Sequence, residues 1–182
     1  MLLFCGCDRV LSDEVIAKID GREVMKSEYM VYLYTTTQSF VSTAGDDVWD
    51  MNFDGQTGDE LVQERAFTTL QSVIAAAEYA EKNSIVLTNE QKQEVQENVD
   101  TFLAEAAPED LEKIGISERR LYALMESSYL YSLVYDSLAE ECAVEDTEVQ
   151  TVYAEERLAE MTKKQTVEKI EGAWNDLEAF HE

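Results

Sequence analysis

The sequence predicts a mainly α-helical fold with a small β-hairpin near its start. Pro108 is the only proline and glycine occurs seven times in 182 residues, so few residues interrupt regular structure. Apolar side chains recur at helical spacing along most of the chain. The exception is 15–24, where apolar and polar residues alternate around Asp20-Gly21, a strong hairpin signal. Apolar residues make up 45 % of the chain, which is enough to bury a core.

The hairpin is followed by two predicted helices that a loop separates. Ser27 is the predicted N-cap of the first helix, since its hydroxyl can accept a main-chain hydrogen bond there. Gly, Asp and Asn residues then predict an ordered loop over 43–58, around Trp49 and Phe53. The second helix is predicted at about 59–82 from the spacing of its apolar residues.

The second half of the chain carries clear helix start and stop signals. Thr88 and Gln91 form a capping box for a third helix, and a short helical turn is predicted over 108–115. Ser117 precedes a long helix predicted at 118–142. A last helical stretch is predicted after Asp146 or Thr147, and its apolar residues include Tyr153, Met161, Ile170, Trp174, Leu177 and Phe180. Residues 13–182 are therefore predicted to form a single domain, with the last helix packing back on it.

The net charge of −25 comes from 39 acidic and 14 basic residues. Such a surface repels phosphate groups, so neither nucleic acid nor an anionic lipid surface is predicted as a partner. The charge fits a solvated, aggregation-resistant exterior. It equally fits a surface that attracts basic, unfolded polypeptide, and charge alone leaves both interpretations open.

The first residues contain a short apolar run that ends in Gly6-Cys7. A small residue followed by a cysteine is typical of the end of a bacterial lipoprotein signal, although Phe4 stands where leucine is usual. We therefore interpret residues 1–12 as a truncated lipoprotein signal and tether, with Cys7 as the lipidation site. The alternative is a chance Cys-x-Cys pair, since two thiols alone do not make a zinc site.

The order of these elements resembles that of the SurA-type and PrsA-type chaperone–isomerases of the bacterial cell envelope. The matching segments lie in the family's order and cover most of residues 13–157. They are 15–29 (strand, turn and a helix start at Ser-Glu), 61–79 with 83–90, 111–121 (Leu-Glu-Lys-Ile-Gly-Ile-Ser) and 144–153 (Val-Glu-Asp-Thr-Glu-Val-Gln-Thr-Val-Tyr). The resemblance implies a SurA-like, peptide-binding chaperone domain.

The resemblance also predicts which activity is missing. In the family a parvulin isomerase domain usually follows the last of these segments, whereas here 155–165 runs directly into Ile170 and Trp174. Parvulin sites are built around histidines, and the one histidine of this chain is His181. We therefore expect no catalytic residue, no enzyme activity and no cofactor.

These observations predict an extracytoplasmic, lipid-anchored holdase that binds unfolded or exported polypeptides, and a homodimer is a further expectation. Two alternatives stay open. One is a structural lipoprotein that holds a single folded partner. The other is the chaperone part of a peptidyl-prolyl isomerase that has lost its parvulin domain.

Asp50, Asn52, Asp54 and Gly55 match the first half of an EF-hand calcium loop. Position twelve of that loop, normally a bidentate glutamate, is Leu61. The sequence therefore predicts a turn stabilised by Asp and Asn side chains, and no metal site.

The helix at 118–142 is rich in tyrosine, a side chain suited to loosely specified peptide contact because it joins a rigid apolar body to a polar edge. The candidate peptide-binding residues are Tyr122, Met125, Tyr129 and Trp174, on helices that the family brings together. Each of them also fits a place in the hydrophobic core, and the pattern does not separate the two roles.

Overall fold

In a computed structural model of the chain, which describes residues 13–181, most residues are helical. The helices are α1 (Lys26–Ala44), α2 (Gly58–Asn83), α3 (Asn89–Glu105), α4 (Pro108–Ile114), α5 (Glu118–Glu141) and α6 (Thr147–Lys163), with a 3-10 turn at Asp46–Asp50. The strands are β1 (Val15–Ile19), β2 (Arg22–Met25), β3 (Asn52–Phe53), β4 (Gln56–Thr57) and β5 (Val167–Lys169). The predicted mainly helical fold with an N-terminal antiparallel hairpin is confirmed.

The N-terminal hairpin forms where the sequence predicts it. Asp20 and Gly21 connect β1 to β2, and both adopt positive φ angles, of 49° and 82°. A two-residue turn with positive φ at both positions matches the twist of the flanking strands, which explains the Asp-Gly signal. The hairpin is extended by β5, which pairs antiparallel with the other side of β1 and gives the strand order β2-β1-β5.

The helix signals of the second half of the chain are largely confirmed. The capping box at Thr88 and Gln91 is present, and Gly115 ends α4 with a φ of 65°. Asp146 is the cap of α6, where its carboxylate accepts the amides of Glu148 and Val149. Ser117 stands at the N-cap position of α5 but makes no side-chain cap bond.

The prediction that Ser27 caps the first helix is wrong. Helix α1 already begins at Lys26, because the side chain of Glu28 accepts the amide of Met25. Both the amide and the hydroxyl of Ser27 donate instead to the carboxylate of Asp13, just before β1. Ser27 therefore ties the start of the helix to the chain that enters the sheet.

The predicted extent of the last helix is also wrong. Helix α6 ends at Lys163, and the apolar residues Ile170, Trp174, Leu177 and Phe180 follow in turns after β5. Gly172 has a φ of 82°, which a helix does not contain. The helical spacing of these residues does not reflect a helix. Trp174, Leu177 and Phe180 pack on the larger core cluster from turns, whereas Ile170 is exposed and donates its amide to the main-chain oxygen of Ile16.

The buried side chains form two clusters that share α2. The larger cluster joins β1, α1, the first half of α2 and the end of the chain, and includes Ile16, Tyr29, Leu70 and Leu177. The smaller cluster lies where α6 packs on α2 and α5, with Ala76, Ala80, Val134, Leu138, Ala154 and Leu158. Within residues 13–181, none of the helices is both long and apolar enough to cross a bilayer.

Candidate functional site

The C-terminal segment, defined as residues 166–181, crosses the domain in an extended and turning path. After β5 it reaches α2, where the Gln63 side chain donates to the main-chain oxygen of Leu177 at 2.7 Å. It ends near α1, where the amide of Phe180 donates to the Thr37 hydroxyl at 3.4 Å. These bonds hold β5 beside α2 without placing it inside the helical packing.

Strand β5 is one of the two edge strands of this sheet, as far as the described residues show, and β2 is the other. The amide of Asp20 donates to the oxygen of Thr166, and the amide of Ile170 donates to the oxygen of Ile16. Because antiparallel pairs alternate between bonded and non-bonded positions, Glu168 faces β1 with its main-chain groups. The N–H and C=O of Val167 and Lys169 therefore point away from β1, toward open space.

A groove of about 490 Å³ runs between this strand and α2. We call it the α2–β5 groove. Its α2 residues lie on one helical face, at spacings of three and four. The groove is lined by Gln56, Glu60, Gln63, Glu64, Phe67, Thr68, Gln71, Val167, Lys169 and Trp174.

Two aromatic rings form the base of the α2–β5 groove. Phe67 and Trp174 meet edge to face with ring centres 5.1 Å apart, and Tyr29 packs against Trp174 from the core side at 5.1 Å. The indole Nε1–H of Trp174 donates to the main-chain oxygen of Ile16 at 2.9 Å. Edge-to-face contacts of this kind and a satisfied indole N–H fix the rings in place.

Lys169 covers the two rings from the solvent side. Its ammonium nitrogen lies 4.6 Å from the centre of the Phe67 ring and 4.5 Å from the centre of the Trp174 ring. A cation over an aromatic face is held electrostatically, by about 0.5–1 kcal/mol at an exposed position. The lysine can therefore move aside at little cost.

The polar lining of the groove consists of glutamine and glutamate side chains together with Thr68 and Lys169. At one end the main-chain oxygen of Gln71 accepts a bond at 3.1 Å from Gln165, which lies outside the lining, and at the other end Gln63 bonds to the C-terminal segment. Glu60 and Glu64 are exposed along the α2 wall. The groove thus combines an apolar base, a free strand edge and negative charge.

The structure separates the four candidate residues that the sequence predicts. Trp174 lines the groove, whereas none of the α5 candidates does. Tyr122 and Met125 are half-buried against the larger cluster, as residues of the core rim. The Tyr129 hydroxyl donates to Glu94 of α3 at 2.6 Å, and this hydrogen bond raises the pKa of Tyr129.

Sequence reasoning missed the strand β5 and the groove residues Gln63, Phe67 and Lys169. Val167-Glu168-Lys169 is too short for an alternation pattern to be recognised. Phe67 follows Ala66 in the apolar pattern of α2, and both are buried. The sequence pattern therefore does not distinguish Phe67 from an ordinary core residue. Only the pairing of β5 with β1 brings these side chains together.

A second crevice, of about 290 Å³, lies where α1, α2 and α5 meet, and Tyr32, Ser72, Ser128 and Tyr131 are among its lining residues. The hydroxyls of Tyr32 and Ser128 are hydrogen-bonded at 3.0 Å. Burial raises the pKa of Tyr32 to about 12, and the bond with Ser128 opposes that rise. Tyr32 and Ser128 thus satisfy each other's hydroxyl groups inside this crevice.

The predicted Asp/Asn turn is confirmed. The amide of Gly55 donates to Oδ1 of Asn52 at 2.8 Å, and Asp54 has a φ of 52° at the tip of the β3–β4 hairpin. Residues 13–181 contain no group of three or more His, Cys, Asp or Glu side chains placed to hold a metal ion. The predicted lipidation site, Cys7, lies outside the described residues.

Comparison of the chain with protein-family models, with curated proteins and with solved structures gave no match. The resemblance to SurA-type and PrsA-type chaperones therefore stays a prediction, and the α2–β5 groove is the basis for any functional proposal.

Proposed function

We propose that the protein is a holdase-type chaperone that binds unfolded or exported polypeptides in the α2–β5 groove, without catalysis. The observation that carries the proposal is the groove itself, in which aromatic rings and a free strand edge face the same open channel. The proposal includes an extracytoplasmic location, with a lipid on Cys7 as the connection to the membrane.

The physical properties of the groove suit a binder of many sequences. Its base offers apolar area without a deep pocket, so no particular side chain is required. Main-chain groups of a strand edge bind any polypeptide, whatever its side chains. The charge of −25 favours basic segments and keeps the complex soluble.

The proposal is tested by light scattering of an unrelated protein diluted from denaturant, with and without the full chain. Thr68→Arg places a long cation in the groove, whereas Thr69→Arg makes the same charge change at a neighbouring exposed residue that does not line it. We expect wild type and Thr69→Arg to suppress aggregation, and Thr68→Arg to lose most of this effect. Equal behaviour of the two variants would place client binding elsewhere.

The same assay tests the structural alternative. A structural lipoprotein that holds one folded partner would leave aggregation of an unrelated client unchanged. The expected lack of catalysis is tested separately, because an isomerase site would accelerate the cis–trans exchange of a proline peptide, which takes tens to hundreds of seconds without a catalyst. We expect that exchange to stay at the uncatalysed rate.

A further inference from the structure

We infer that the α2–β5 groove binds a basic, extended peptide as a fourth strand, added to the free edge of β5. The inference rests on the proposed function and specifies its binding mode. The occupant is a segment in which apolar residues alternate with lysine or arginine.

The outer edge of β5 has free main-chain hydrogen-bonding groups. The main-chain groups of Val167 and Lys169 point away from β1, and no described residue bonds to them. An exposed edge of this kind pairs readily with an incoming extended chain. Two residues with free N–H and C=O groups offer four main-chain hydrogen bonds.

The register of β5 determines where the side chains of an added strand would lie. Val167 and Lys169 lie opposite Ile19 and Ala17 in the register, so their side chains share the sheet face that packs toward the helices. Alternate residues of a fourth strand would project over the same face, onto Phe67 and Trp174. These positions favour apolar residues, and they require Lys169 to move off the two rings.

The negative charge around the groove favours basic residues in the added strand. The remaining residues of the added strand would lie on the opposite face, beside Glu168, which is exposed. Glu60 and Glu64 border the groove, and the whole chain carries a net charge of −25. Lysine or arginine at the alternate positions is therefore attracted, and a peptide with acidic residues there is repelled.

The test uses the full chain with Trp49→Phe, because Trp174 is then the only tryptophan and its fluorescence reports on the groove. The probe is a seven-residue capped peptide with the sequence Lys-Val-Lys-Leu-Lys-Val-Lys. Single N-methyl groups are placed on each residue in turn, which removes one N–H donor without changing charge.

We expect a single N-methyl group to weaken binding by about tenfold or more at alternate residues of the peptide. At the residues between them, we expect it to change binding by less than about twofold. Loss of binding on methylation of the apolar residues indicates an antiparallel strand, since directly opposed residues then share a face and bond to each other. Loss of binding on methylation of the lysines indicates a parallel strand. Either alternation supports strand addition. Binding that ignores N-methylation overturns strand addition, while aggregation suppression that depends on Thr68 still supports the holdase.

A protein variant gives an independent check. Val167→Pro removes one outward N–H and leaves the pairing with β1 intact, because proline is tolerated where the amide of an edge strand faces outward. Val167→Ala is the matched control, since it shortens the same side chain and keeps the donor. We expect peptide affinity to fall by about tenfold for proline and by less than about threefold for alanine. If the peptide does not bind, the inference is wrong. If Val167→Pro then also dissociates a dimer of the protein in sedimentation experiments, the edge of β5 pairs with a second copy of the chain.

Discussion

The indole of Trp174 donates a hydrogen bond to the main-chain oxygen of Ile16 at 2.9 Å. The same oxygen accepts the amide of Ile170, also at 2.9 Å, so one carbonyl of β1 holds both the end of β5 and the turn that follows it. The Trp174 ring is at the same time part of the base of the α2–β5 groove. The groove is therefore only as rigid as this junction between the two ends of the domain.

Trp174→Phe tests the strength of that junction. The variant loses the N–H donor and part of the ring volume, while Ile16 keeps the bond from Ile170. We expect the free energy of unfolding to fall by about 1–3 kcal/mol, measured by urea denaturation. Thr69→Ala, at an exposed position on α2, should change it by less than about 0.5 kcal/mol. A Trp174→Phe protein as stable as wild type would contradict a structural role for the indole bond.

Lys169→Ala tests whether the lysine covers the aromatic base. Its removal leaves Phe67 and Trp174 exposed to solvent, so binding of an apolar fluorescent dye should increase. Lys164→Ala is the matched control, because it removes the same charge from an exposed residue outside the groove. Lys169→Arg should bind dye as wild type does, since arginine also lies over aromatic faces. Equal dye binding by the two alanine variants would mean that the rings are already accessible.

Tyr32→Phe should flatten the loss of stability at high pH. Burial raises the pKa of Tyr32 from 10.0 to about 12, whereas the unfolded chain loses this proton near the ordinary value. The stabilisation is complete below pH 10 and is lost as the pH rises toward 12, because the unfolded state then binds fewer protons than the folded state. The full loss is roughly 3 kcal/mol, and about half of it, ~1.4 kcal/mol, occurs between pH 9 and pH 11. Urea denaturation of both proteins at pH 9 and at pH 11 measures it, and parallel curves would contradict the assignment to Tyr32.

Tyr129→Ser should leave aggregation suppression within about twofold of wild type. Tyr129 bonds to Glu94 on α3 and does not line the groove, so its loss leaves the proposed client site intact. Thr68→Arg, measured beside it, should abolish most of the suppression. The reverse ranking would return the client site to α5, where the tyrosine-rich sequence first indicated it.

Calcium should not bind tightly to the loop that carries Asp50, Asn52 and Asp54. Oδ1 of Asn52 already accepts the amide of Gly55, and the bidentate glutamate of an EF-hand is replaced by Leu61. Calorimetric titration should show no site with micromolar affinity or tighter. Such a site, if found and lost in Asn52→Ala, would contradict this view of the turn.

The helices could be predicted because their signals are local. Thr88 with Gln91, Gly115 and Asp146 act within one turn of the residues that they cap, so single-sequence patterns reveal them. Asp20-Gly21 is equally local, since the turn itself requires two positive φ angles. The error at Ser27 shows the limit of this approach, because its partner Asp13 lies fourteen residues away.

The candidate site was mostly hidden because it depends on a distant pairing. Nothing in Val167-Glu168-Lys169 indicates a strand until β1 supplies its hydrogen bonds. The sequence indicates Trp174 by its chemistry, but helix α6 ends at Lys163 and does not carry this residue. The sequence indicates the tyrosines of α5 by their number; Tyr122, Tyr131 and Tyr135 pack partly buried against the two clusters, whereas Tyr129 bonds to Glu94 on α3.

The strand order β2-β1-β5 also determines when the protein can finish folding. Strand β1 leaves the ribosome well before β5, so the long helical region between the two strands must be synthesised before the sheet can close. Contacts between residues so far apart in sequence form slowly, since a long loop must be closed first. During synthesis the helices form early, while the outer side of β1 stays unpaired. The nascent chain therefore exposes a strand edge of its own until β5 has been synthesised.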